Sequence, residues 1–109
     1  MSREYHFHRE HAHCSVTVGV RLAGTREVEL LVDGKEVVVE PVHGHHAERR
    51  SLATTLPTDP PRTITVEVEL PGAIRGLPSA TLVDGDARLP MPPRDVPHRA
   101  RPTEASWYG

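Results

Sequence analysis

At 109 residues the chain is long enough for one domain, which excludes a multi-domain enzyme. Its 13 basic and 15 acidic residues leave a formal charge of −2, too weak a field to attract nucleic acid or an anionic membrane. Aromatic residues are 4% of the chain, yet 13 residues are valine and 9 are threonine, the side chains that β-strands favour.

Residues 1–13 read as a histidine-rich N-terminal arm or a first strand. This charged start lacks the apolar stretch of a signal peptide. No apolar run is longer than Val37-Val38-Val39, far below the roughly 18 residues that cross a bilayer. The single cysteine, Cys14, cannot form an internal disulfide. A soluble, cytoplasmic protein is the expectation.

Residues 14–90 carry the signals of a β domain. From Cys14, Val16, Val18, Val20 and Leu22 alternate with Ser15, Thr17, Gly19 and Arg21, the pattern of a half-buried strand. After a turn at residues 23–25, Val28, Leu30 and Val32 alternate with Glu27 and Glu29. Asp33-Gly34 then gives a tight hairpin, since both residues tolerate positive φ. The return strand spans residues 35–41. A polar segment at 42–50 leads to a short strand at 51–56, or alternatively a helical turn, and prolines mark a turn at 57–61. Residues 63–70 alternate most cleanly, with Ile64, Val66, Val68 and Leu70 inward. After a connector at 73–79, residues 80–89 predict a second hairpin about Asp84-Gly85.

Residues 91–109 are a proline- and arginine-rich tail in which a packed strand is not expected. At its start Pro90-Met91-Pro92-Pro93-Arg94, which overlaps the domain's last residue, has the form of a polyproline ligand. Trp107 and Tyr108 predict that the tail's end folds back onto the domain. Six or seven short strands with turn signals between them predict an all-β fold, a small antiparallel β-sandwich of immunoglobulin-like architecture. A small open β-barrel is the alternative.

Seven of the 8 histidines fall in two clusters, His6, His8, His11 and His13, then His43, His45 and His46. Neutral imidazole suits zinc, nickel and copper, with Cys14, Glu10 and Glu48 as further ligands or orienting groups. On an unbroken strand His6 and His8 would face opposite to His11 and His13; a bulge near Arg9-Glu10 would reunite them. No stereotyped zinc spacing or phosphate-binding glycine loop is present. Cys14 reads as a small buried hydrophobe, and Glu27, Glu29, Glu67 and Glu69 as a solvated sheet face. The expected function is therefore a non-catalytic binding or assembly module whose partner is another protein or a second copy. The alternative is a Zn, Ni or Cu protein built on the seven clustered histidines, and a small metal-dependent enzyme is a third class. The histidines also predict charge reversal on mild acidification, which would make the N-terminal arm cationic while the sheet glutamates stay anionic.

Overall fold

A computed structural model describes residues 4–22, 25–44, 46–72 and 76–94. The expectations for Trp107, Tyr108 and the tail beyond Arg94 lie outside the described residues. The chain forms a β-sandwich of two antiparallel sheets. Sheet one is β1 (Glu4–His11), β2 (Cys14–Arg21), β3 (Arg26–Val32) and β4 (Lys35–Val42), and sheet two is β5 (Glu48–Leu56), β6 (Arg62–Leu70), β7 (Ser79–Asp84) and β8 (Ala87–Pro90). Strand order in each sheet follows the chain, so each is a meander, joined by the β4 to β5 connection. The two-layer architecture is the expected one, with hairpin neighbours in place of Greek-key crossings.

The alternation determines the layers. Val16, Val18, Val28, Leu30, Val66, Val68 and Leu82 are all fully buried in one core shared by both sheets. Each such side chain contributes roughly 1.5–3 kcal/mol by leaving water. Residues 51–56 belong to a strand, resolving the choice against a helical turn.

The hairpins differ from the sequence pattern in instructive ways. β1 and β2 are joined by Ala12 and His13, at φ 51° and 64°, a left-handed pair with neither glycine nor asparagine to announce it. Asp33 and Gly34 turn at φ 52° and 83° as expected. Asp33 is held by Ser15, whose N–H donates to Asp33 Oδ1 at 2.9 Å and whose carbonyl accepts from the Asp33 N–H at 2.8 Å. The second hairpin turns one residue later than expected. Asp84 pairs with Ala87 as the last residue of β7, and Gly85 and Asp86 make the turn. The similar strings Leu-Val-Asp-Gly at 31–34 and 82–85 therefore do not build the same turn.

Both sheets place hairpin turns 12–13, 33–34, 57–61 and 85–86 at one end. The β4 to β5 connection lies at the other. Arg26, 3% exposed, closes this second end. Its Nη1 donates to Gly44 O at 2.9 Å and His46 O at 3.2 Å, and its Nη2 reaches Pro71 O at 3.5 Å.

Candidate functional site

The register of β1 locates the first histidine cluster. β1 pairs with β2 without interruption, Phe7 against Val18 and His11 against Cys14, so no bulge occurs at Arg9-Glu10. Because the chain reverses at residues 12–13, inward parity changes from even in β2 to odd in β1. Phe7 faces the core, whereas His6 and His8 lie on the outer face opposite Gly19 and Thr17. The two pairs thus stay apart, as an unbroken strand requires.

His11 continues the inward face of β1 past the end of the core. There its Nε2 meets Asp84 Oδ2 at 2.7 Å, and Arg62 Nη1 donates to the same oxygen at 2.8 Å. All three residues are inner-face positions: Arg62 and Asp84 lie one step beyond the apolar Ile64 and Leu82, and His11 follows Phe7 and Arg9. The hydrogen bond with His11, then that from Arg62, hold the Asp84 carboxyl below the usual carboxylate range. The cluster joins sheet one to sheet two with a polar lock. Beside it His13 lines an open groove of about 310 Å³ with Thr58, Pro60 and Arg62.

His8 sits on the outer face. Its Nδ1 is 3.0 Å from Thr17 Oγ1 and 3.1 Å from Arg94 Nη1, and its Nε2 is 3.0 Å from Glu10 Oε2. A guanidinium only donates, so Nδ1 accepts and the Nε2 N–H donates to Glu10. Next to His6 and Gly19, Glu29 lies across the glycine, its Oε2 2.9 Å from where a Cβ would stand. Burial first, then the hydrogen bond and negative charge of Glu36 and the charge of Glu27, push the Glu29 carboxyl up, with Arg21 opposing.

The second histidine cluster belongs to the opposite end of the sandwich. His43 and His46 are exposed in the β4 to β5 connection, and His46 Nε2 is 3.9 Å from Glu48 Oε1. His45 lies outside the described residues. Strands of this length separate the ends by roughly 25 Å, so His11 and His13 do not meet His43 or His46. Among the described residues, no three His, Cys, Asp or Glu side chains converge to hold a metal ion. Cys14 is buried, which raises its thiol pKa and leaves it a packing residue. No helix among the described residues is long and apolar enough to cross a membrane.

The two margins of sheet one contrast. The β1 edge is covered by residues 92–94 through the bridge of Phe7 to Pro93. Along β4, Val37 and Val39 are 45% and 40% exposed. At its turn end β4 opens a groove of about 320 Å³ lined by Val32, Asp33, Lys35, Val37, Thr55 and Pro57. At the other end Arg50 Nη1 of β5 reaches Glu40 Oε1 at 3.4 Å and closes the gap between the sheets.

The sequence singles out His11 and His8 but not their partners Asp84, Arg62, Thr17 and Arg94. The signal for Asp84 and Arg62 was present in the parity of β7 and β6. No family model, curated protein or solved structure matches this chain.

Proposed function

We propose that the domain is a non-catalytic binding module that takes an extended strand of a partner protein along β4. The observation that carries this reading is the open β4 margin, with Val37 and Val39 exposed beside an apolar groove. An edge strand presents unpaired backbone donors and acceptors, a template for β-strand addition. Its side-chain pockets then select β-branched or aromatic residues at alternate positions. The bulge in β4 between the partners of Leu30 and Leu31, together with Pro41, limits how far such pairing extends. That confinement suits a short segment of four or five residues better than open-ended aggregation. Histidines 8 and 11 support a structural part for the first cluster, because each is engaged by side chains that fix the fold.

The test is selection of binders from a displayed library of 12-residue peptides, followed by amide chemical-shift mapping on the labelled domain. Selected peptides are expected to alternate apolar and polar residues and to shift residues 36–40. A Val37→Asp/Val39→Lys variant should lose at least about tenfold in affinity, as expected when a central apolar contact is replaced by charge. Failure to select a binder, or binders that map away from β4, would overturn the reading.

A further inference from the structure

The β1 margin is closed by the chain itself, and the way it is closed describes a ligand. Leaving β8, Met91 still donates its N–H to Ala80 O at 3.0 Å, and the chain then crosses to sheet one. The His8 N–H donates to Pro92 O at 3.0 Å, and the Arg94 N–H donates to His6 O at 2.7 Å. Arg94 Nη1 reaches His8 Nδ1 at 3.1 Å on the outer face. Arg9 fastens the crossing from below, its Nη1 donating to Pro90 O at 2.9 Å. Residues 92–94 thus act as a three-residue antiparallel strand with an arginine that reads a histidine.

This occupant is poorly made for its place. In an antiparallel pair, opposite residues that hydrogen bond exchange two bonds. Position 92 receives the His8 N–H, but proline has no N–H to return to His8 O. A residue with an N–H at that position would add the missing bond, while an arginine two residues later would keep the contact to His8.

We propose that the β1 edge is a second docking site, for an extended segment of a partner protein with a non-proline residue followed two positions later by arginine, and that residues 92–94 occupy it in cis as a replaceable stand-in. The partner strand displaces the strap and pairs with the outward-facing backbone groups of His6 and His8. The site is separate from β4, on the far margin of the same sheet, and does not rest on the proposed use of that edge.

The experiment uses the full chain and a fluorescent peptide copying residues 88–94 with valine in place of Pro92. Its binding is measured by anisotropy, and its footprint by amide shifts. The peptide should shift His6 and His8. In the chain, Arg94→Ala loosens the strap and should raise peptide affinity roughly 3- to 10-fold, the net worth of one solvent-exposed hydrogen bond. Pro92→Val supplies the missing donor in cis and should lower affinity by a similar factor. Both substitutions lie outside the buried core, and retained β-sheet circular dichroism verifies folding. A footprint on residues 36–40 instead of β1 would overturn this inference while supporting the β4 reading. No binding to the Arg94→Ala chain, or equal affinity for all three chains, would also overturn it.

Discussion

His11 and Asp84 stand 73 residues apart in sequence, yet imidazole Nε2 and carboxylate Oδ2 approach to 2.7 Å across the two sheets. Each lies on the inward face of its strand past the end of the core, Asp84 directly after Leu82 and His11 after Phe7 and Arg9, so the core ends in a hydrogen bond where it would otherwise end in water. Arg62 supplies a second donor to the same oxygen at 2.8 Å.

The lock makes stability depend on acid. The Asp84 carboxyl is held below the usual carboxylate range by His11 and Arg62. A depressed pKa contributes stability that is present above the unfolded value of about 3.9 and is lost as pH falls through the folded value. Asp84→Asn should therefore be less stable than the parent at pH 6, and the difference should shrink steadily below pH 4. Urea midpoints measured from pH 6 to pH 2 check this. Glu67 keeps some acid sensitivity in the variant, because its hydrogen bond from Arg88 lowers its carboxyl too. A gap between the two chains that is constant with pH would show that Asp84 acts by packing alone.

Arg26 performs the corresponding task at the other end with carbonyls in place of a carboxylate. Its two terminal nitrogens serve Gly44, His46 and Pro71, and its Nε is buried without a partner. Arg26→Ala should cost roughly 2–4 kcal/mol, since it removes charged hydrogen bonds and the packing of a buried side chain. Arg26→Met keeps most of the apolar stem and separates packing from hydrogen bonding. Faster amide exchange at residues 43–47 in both variants is the expected signature. Full stability of the methionine variant would show that the guanidinium does not hold the connection.

The strands at 16–22, 28–32 and 64–70 were legible because a half-buried sheet imposes a period of two that valine, leucine and isoleucine report directly. β1 was harder to read. Its inward face is Tyr5, Phe7, Arg9 and His11, of which only Phe7 is both apolar and buried. The turn at Ala12 and His13 uses positive φ without glycine, so the parity of the first histidine cluster could not be fixed from the sequence. The Asp84-Gly85 pattern predicts Asp84 within the turn of the second hairpin, whereas it is the last residue of β7, and that shift of one residue hides an inward carboxylate. The contact of Arg94 with His8 joins residues 86 apart. No local pattern announces it.

Glu29 is the reverse case of Asp84. Burial raises its carboxyl, and Glu36 and Glu27 add to the effect. A raised carboxylate pKa weakens the fold once pH exceeds the unfolded value of about 4.3, and the full penalty applies above the folded value. Glu29→Gln keeps the shape over Gly19 without the charge. It should leave stability unchanged at pH 3 and increase it at pH 7, by less than about 1 kcal/mol because the group is partly solvated and screened. Thermal denaturation at the two pH values checks this, and a loss of stability at pH 7 would mean that Arg21 outweighs the acidic neighbours.

The placement of the histidines sets how the chain should respond to transition metals. His6 and His8 lie on the outer face, His11 is bonded to Asp84, His13 lies in the first turn, and His43 and His46 are at the far end. Among the described residues no three ligands converge, so the described histidines of each group offer an ion one or two imidazoles and water completes the coordination. Calorimetric titration with Zn²⁺ or Ni²⁺ should give more than one weak, independent equivalent, each falling in affinity on acidification because a protonated imidazole cannot ligate a metal. His43→Ala/His46→Ala should remove one equivalent and leave the binding at residues 6–13 unaltered. Because Asp84 engages His11 only in the folded chain, zinc should bind His11 at least as well in the unfolded chain, so the unfolding midpoint should rise little or not at all. A single tight equivalent, abolished by substitutions in either cluster and accompanied by a higher midpoint, would require the two ends of the sandwich to share one ion within a chain or between two chains.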